Sequence, residues 1–379
     1  MPNQIRVGLI GASWFADLWF LPVLCKHPGV TVAAICSRNG TNAERMAAKY
    51  DIPAVYTSAI EMMDTEKLDG VCIITPNDTH FPLTMEAMRR GIHVLCEKPL
   101  ALDSKQSHLM RIEAELSGVV HAVNFSVREH PGVQYLRNAV KEGKIGNLLE
   151  GRFEYTGDYG LKGSPGWRGS VREGGTGGVL QDLGSHIIDL AQYITGEPVA
   201  AVQSSVRCLE EGRLVDFTDR ANPDQAADTI MFQADFESGW HGVFHTSWIR
   251  AQGNGGQTIT LELFGTGGGL KLVFEGYGYK LLTSEAGGTW NIVTLPSLLE
   301  WDLTSDAGED RFRPYRNTEK NEAWRWADAV LAAKYGGDGQ VPELPDFTAA
   351  DRVQHVIDAV MQSAQMKRKV GVHELQPQQ

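Results

Sequence analysis

The sequence has no C-x-x-C pair, no long apolar run and no surplus of positive charge. Five cysteines, Cys25, Cys36, Cys72, Cys96 and Cys208, are scattered through 379 residues, four of them in or beside apolar stretches. That pattern excludes a zinc ribbon or a disulfide scaffold and reads as small core residues in a reducing compartment. No run approaches the roughly 18 apolar residues of a membrane-crossing helix. A strand-like run begins at Ile5 with no basic segment and long apolar stretch ahead of it, so no signal peptide is expected. The formal charge of −12 argues against nucleic acid, which requires a basic face, and against an anionic membrane surface. It leaves open a small anionic ligand held by a few local charges. The expected setting is the cytoplasm.

What is present suits two domains: 379 residues, 42% of them apolar. Residues 1–125 alternate strand and helix patterns. Short apolar strands at Ile5–Ile10, Thr31–Cys36, Gly70–Thr75, Ile92–Cys96 and Val119–Phe125 are separated by helical stretches. Trp14–Lys26 is one of these, interrupted or ended by Pro22. This grammar predicts a mostly parallel, doubly wound sheet covered on both faces. From residue 126 to 379 the pattern changes to runs of strands joined by glycine-rich turns, with helices over Gly132–Glu142 and Ser185–Tyr193 and two more closing the chain. An α+β domain with a largely antiparallel sheet is expected there. The closing helices are placed to pack back on the first domain. The stretch from Glu275 to Thr318 carries Tyr277, Tyr279, Trp290, Trp301, Phe312 and Tyr315, which suit a sugar pocket, a subunit contact or a satellite cluster equally.

Chemistry enters with Glu97-Lys98-Pro99, which ends the apolar run Ile92–Cys96. Pro99 cannot donate to a ladder, so the strand stops and aims the Lys98 ammonium at the sheet edge. Open α/β sheets bind ligands at the carboxyl ends of their strands. A second signal is Gly8-Leu9-Ile10-Gly11-Ala12-Ser13-Trp14-Phe15-Ala16. Dinucleotide folds use G-x-G-x-x-G/A at such a strand–turn–helix. The first glycine makes the turn, the second admits the pyrophosphate and a small third residue packs helix on strand. Gly11 and Ala16 fill the first and third roles. Ser13 replaces the second glycine, with a hydroxyl able to meet a phosphate. Trp14 and Phe15 complete the loop, and helix N-terminal N–H groups favour anions.

Strand two ends on Ser37-Arg38, with no acidic residue to grip an adenosine ribose. Ser37 and Arg38 suit a 2′-phosphate, which favours NADP over NAD. Thr75, Pro76, Asn77 and His80 form the loop after the next buried strand, where Asn77 and His80 are cofactor contacts, turn residues or caps. In the second domain Asp182 and His186 are four apart and share a helical face if the helix begins by Asp182; Gly184 leaves that open. Histidine is the natural proton carrier near neutral pH, and Asp182 suits orienting a hydroxyl. Asp189 reads as packing. No third ligand accompanies Asp182 and His186, so no metal is expected.

These motifs together resemble the Gfo/Idh/MocA family, the glucose–fructose oxidoreductase and inositol dehydrogenase type. The likeness rests on G-L-I-G-A-S-W-F-A, T-P-N-D-T-H, E-K-P, N-F-S-V-R-E-H-P ahead of E-G-K-I-G, Trp167-Arg168, D-L-G-S-H-I-I-D and the helix A-D-R-V-Q-H-V-I-D-A-V-M-Q-S-A. It implies a Rossmann domain followed by an α+β domain whose open sheet often makes the subunit interface, in a homodimer or homotetramer. It implies that Lys98 touches nicotinamide and the reacting hydroxyl, and that Asp182 and His186 bind substrate and shuttle its proton. Glu97, Arg128, Trp167 and Arg168 are expected at the cofactor or the pocket rim. The implied activity is NAD(P)-dependent hydride transfer on a sugar, glycoside or polyol. Two rivals are a redox-neutral glycoside-cleaving enzyme working through a keto sugar and a non-catalytic cofactor-binding regulator. Lys98, Asp182 and His186 together speak against the regulator.

Overall fold

The computed structural model describes residues 3–163, 165–252, 256–275, 278–295, 321–336 and 343–375. They fall into two compact units. The first takes Met1–Ala101, Lys105–Ser126 and a late stretch ending at Asp351; the second takes Leu102–Ser104, the long run from Val127, and Arg352–Gln379.

The first unit holds a six-stranded sheet: β1 (Ile5–Ile10), β2 (Val30–Cys36), β3 (Ala54–Tyr56), β4 (Gly70–Ile73), β5 (His93–Cys96) and β6 (His121–Val123). Its order is β3-β2-β1-β4-β5-β6, and every pairing is parallel. The order reverses between β1 and β4, the switch point at which such sheets bind dinucleotides. β4 is buried at every residue and β1 at all but Arg6, as expected of strands covered on both faces. The covering helices are α1 (Leu21–Leu24), α2 (Gly40–Tyr50), α3 (Ala59–Thr65), α4 (His80–Arg89) and α5 (Ser104–Ser117). Ile5, Leu9, Phe20, Leu24, Ile35 and Leu95 form one core that also takes Ala323, Trp326, Ala327 and Val330.

The helix expected over Trp14–Lys26 departs from α geometry. A π-turn occupies Ala16–Phe20, with Leu21 N–H bonded back to Ala16 O, and α1 follows with Pro22 near its start. The wide turn delivers the chain to Pro22, which has no N–H to continue an α ladder.

The second unit is built on a ten-stranded sheet. Its strands are β7 (Leu148–Gly157), β8 (Val199–Glu210), β9 (Arg213–Asp216), β10 (Thr229–Phe236), β11 (His241–Ser247), β12 (Gln257–Gly265), β13 (Gly268–Glu275), β14 (Gly278–Glu285), β15 (Asn291–Ile292) and β16 (Val370–Gly371). The order is β15-β14-β13-β12-β7-β11-β10-β8-β16, with β9 on β8. All pairs are antiparallel except β7 with β11. Burial along β10 alternates, so one face is covered and the other is not. Helices α6 (Pro131–Lys141), α7 (Val171–Gly174) and α8 (Ser185–Thr195) follow the chain. α6 packs on α8, and α8 lies on β7. The chain closes with α9 (Glu322–Tyr335) in the first unit and α10 (Phe347–Met366). No helix among the described residues is long and apolar enough to cross a membrane.

Of the aromatic stretch, Tyr279 packs edge-on to His130 and Trp290 edge-on to Phe264. Tyr277, Trp301, Phe312 and Tyr315 lie outside the described residues.

Candidate active site

In the first unit, parallel strands bring four loops to one sheet edge. Gly11 follows β1, Ser37-Arg38 follows β2, Thr75 to His80 follow β4, and Glu97-Lys98-Pro99 follows β5. Gly11 has φ +110°, and a Cβ there would lie 2.3 Å from Ile74 O. Only glycine fits, because this turn runs close against the backbone at the end of β4. Ser13 does not leave the open gap a second glycine would. Its Oγ accepts from Ala16 N–H at 3.2 Å and caps the helix, which keeps its own O–H as the donor an anion would meet. Ala16 is fully buried against the core, as a third small residue should be. Phe15 turns inward and stacks on Trp19, 5.8 Å between centroids, whereas Trp14 is 62% exposed. A glycine turn, a helix start carrying the Ser13 hydroxyl and a packed alanine fit a dinucleotide pyrophosphate.

Ser37 N–H donates to Tyr56 O at 3.1 Å, and Arg38 is exposed. The Cys36 thiol is held up at about 11, mainly by burial and further by the nearby charge of Glu61. Tertiary folding thus brings an exposed carboxylate from α3 near the end of β2, which the local sequence does not show.

The loop after β4 is a self-bonded turn. Thr79 Oγ1 donates to Pro76 O at 2.8 Å and accepts from the Thr75 hydroxyl at 2.6 Å, and Asn77 is buried. His80, expected as a cofactor contact or cap, is fully buried, with Nδ1 2.8 Å from Pro99 O and Nε2 2.9 Å from Thr75 O. Both ring nitrogens therefore serve the protein, and His80 ties the β4 loop to the β5 loop. Burial holds its pKa below the usual value against the pull of the two carbonyls, and the nearby Lys98 charge adds to the lowering. Glu97 is also buried. It accepts from Asn124 Nδ2 at 2.5 Å and from Lys98 N–H at 3.2 Å, so it braces the turn on which half-buried Lys98 stands. The Lys98–Pro99 peptide is cis.

In the second unit, a helix begins at Val179, passes through a π-turn at Leu180–Gly184 and becomes α8. Asp182 lies in the π-turn and His186 in the first α turn, so both belong to one continuous helix despite Gly184. Asp182 is gripped on both oxygens: Arg168 Nε lies 3.1 Å from Oδ1, and the Tyr159 hydroxyl donates to Oδ2 at 2.7 Å. The Arg168 guanidinium rests over the Trp167 ring at 4.4 Å. His186 is 8% exposed, with its ring 5.9 Å from that of Tyr155. Trp167 and Arg168 thus gather at Asp182, as a pocket rim would.

Arg128, expected at the cofactor, is committed elsewhere. It forms a buried two-pronged pair with Asp189, at 2.7 Å for Nε–Oδ2, and stacks on Tyr193 at 4.4 Å. Burial raises the Asp189 pKa and Arg128 opposes the rise. A buried carboxylate on α8 needs a fork-shaped donor, and Arg128 supplies it.

Tyr159 has no place among the residues singled out from sequence. Its signal is an aromatic between Gly157 and Gly160 just past the end of β7.

Comparison with known proteins agrees on the family. The model described as "Oxidoreductase family, NAD-binding Rossmann fold" matches residues 5–125, and the "GFO/IDH/MocA C-terminal domain" matches residues 133–271. The chain is 30% identical over 354 residues to 1,5-anhydro-D-fructose reductase of Ensifer adhaerens, covering 89% of this chain and 98% of that protein. It is 27% identical over 347 residues to inositol 2-dehydrogenase 4 of Saccharopolyspora erythraea, covering 88% of each. In fold it matches levoglucosan dehydrogenase in complex with NADH and levoglucosan, at TM-score 0.80 and 24% identity, over 98% of this chain and 100% of that one.

Proposed function

The chain belongs to the Gfo/Idh/MocA family of oxidoreductases, and on that premise we propose that it moves a hydride between a nicotinamide dinucleotide and a hydroxyl-bearing carbon of a sugar, glycoside or polyol. Relatives named as an anhydrofructose reductase and an inositol dehydrogenase support the substrate class. The observation that carries the reading is Lys98, an ammonium on a braced turn at the carboxyl edge of the dinucleotide sheet.

A nicotinamide dinucleotide bound here would supply the hydride acceptor or donor. Gly11 and the helix start would hold its pyrophosphate. Asp182, fixed by Arg168 and Tyr159, accepts a substrate hydroxyl and orients the ring. In the oxidising direction the reacting hydroxyl gives its proton to His186 as the hydride leaves its carbon, and a carbonyl results. Lys98 donates to the oxygen as its negative charge grows, the role of a pre-aimed donor. In reduction the same groups run in reverse.

Ser37 and exposed Arg38 support NADP over NAD, through charge-assisted hydrogen bonds to a 2′-phosphate. The enzyme works in the cytoplasm as a homo-oligomer; its five cysteines are free thiols, four of them buried, as suits a reducing compartment. The test is absorbance at the reduced-nicotinamide band with NAD⁺ or NADP⁺ and a panel of levoglucosan, methyl glucosides, myo-inositol and aldoses. A rise with a subset of sugars is expected, faster with NADP⁺. Cleavage of a glycoside without net cofactor reduction would refute the proposal in favour of the redox-neutral chemistry.

A further inference from the structure

The loop after β7 is built to hold one side chain in place. Gly160 comes so near Trp248 that a Cβ would lie 2.4 Å from its ring and 2.9 Å from its carbonyl oxygen. Gly160 N–H donates to that carbonyl at 2.8 Å. Trp248 is fully buried and gives its indole N–H to Asp228 at 2.5 Å. Asp228 in turn accepts from Leu209 N–H at 2.7 Å and from the Gln225 amide at 3.0 Å. The Tyr159 ring rests on this wall, 5.9 Å between centroids, and its hydroxyl reaches Asp182.

The same unit contains a carboxylate whose partner is structural, and the contrast is informative. The Arg128 and Asp189 side chains are 9% and 2% exposed, a sealed pair. At the Tyr159 cluster, Asp182 is 14% exposed and Arg168 33%. A carboxylate clamped on both oxygens yet open to approach keeps lone pairs for an incoming hydroxyl. Burial and the Asp182 charge hold the phenol far above its ordinary ionisation range, so Tyr159 remains a donor at any working pH.

We propose that Tyr159 is a positioning residue for the reaction: acting through Asp182, it fixes the carboxylate that receives a hydroxyl of the sugar or polyol. This rests on the assignment of Asp182 to the substrate. Without the phenol, Asp182 keeps its contact with Arg168 but loses the one that sets its rotation.

Tyr159→Phe keeps the ring on Trp248 and removes only the O–H. With the best substrate of the panel, kcat/KM is expected to fall about ten- to a hundredfold, through KM more than kcat. NAD(P)H affinity by fluorescence titration and Tm stay at wild-type values. In an Asp182→Asn background the same change has little further effect on residual kcat/KM. Wild-type kcat/KM in Tyr159→Phe overturns the proposal alone, as does an equal loss in both backgrounds. A wild type that turns over none of the panel overturns the dehydrogenase assignment and this proposal with it.

Discussion

Lowering the pH from 7.5 to 5 is expected to remove about 2 kcal/mol of stability through His130 alone. His130 is 3% exposed at the start of α6, where its Nδ1 accepts Gly132 N–H at 3.0 Å and its ring meets Phe274 and Tyr279 edge-on. Burial pushes its pKa from 6.5 down to about 3. The folded ring therefore stays neutral at pH 5 while the unfolded one takes a proton. A depressed histidine pKa leaves stability intact above 6.5 and erodes it as the pH falls from 6.5 towards 3. At pH 5 the unfolded ring is about 1.5 units below its pKa, and each unit is worth about 1.4 kcal/mol, which gives the figure of about 2. His130→Asn keeps a short acceptor at the cap position and does not titrate. The variant is less stable at pH 7.5, having lost its packing on two aromatic rings, but its decline towards pH 5 is shallower by about 2 kcal/mol. Urea unfolding followed by tryptophan fluorescence at both pH values measures this. His93 and His121 also accept backbone N–H groups at Nδ1, from Val120 and Phe347, and burial lowers both pKa values. Their contributions have the same sign and cancel between the two proteins. Parallel pH declines, within about 0.5 kcal/mol of each other, would refute the reasoning.

Lys98→Met should lower kcat by about a hundred- to a thousandfold with Tm unchanged, read by steady-state kinetics at saturating cofactor; near-normal turnover would remove Lys98 from the chemistry. Arg38→Ala should weaken NADPH about ten- to a hundredfold and leave NADH nearly unchanged. Equal losses in a fluorescence titration would exclude a 2′-phosphate contact. Gly11→Ala places a Cβ 2.3 Å from Ile74 O at φ +110°, so it should abolish dinucleotide binding and destabilise the first unit by about 1–3 kcal/mol, visible as a lower Tm that added NAD(P)H no longer raises.

Much of the first unit was legible because its signals are local. β4 is a continuous apolar run, β1 and β5 are apolar but for Arg6 and His93, and Pro99 and Gly11 mark where strands end. β3 and α3 were not legible. β3 is three residues at a sheet edge with one side chain exposed, too short for a period to appear. The π-turns at Ala16–Phe20 and Leu180–Gly184 are likewise invisible to a 3.6-residue pattern. At the candidate site, the four-residue spacing suggested that Asp182 and His186 share a helix, with Gly184 leaving this open; the structure places both on one continuous helix. Of the groups that hold Asp182, Arg168 was picked out for the pocket rim, whereas Tyr159 was not, because it lies far along the chain. Tyr159 is 23 residues from Asp182, and Arg128 is 61 residues from the Asp189 that claims it. His80 looked available because nothing in the sequence shows that two backbone carbonyls occupy its nitrogens. An isolated arginine or histidine reads as free until folding supplies its partner.

The most direct test of the central claim follows a label. The sugar that the panel shows to be turned over is deuterated at its ring carbons and offered to the enzyme with the preferred oxidised cofactor. Direct hydride transfer predicts that deuterium appears on the nicotinamide ring of the reduced cofactor and that turnover slows relative to unlabelled sugar. Turnover that leaves the deuterium in the carbohydrate or releases it to water, with none on the cofactor, would contradict it.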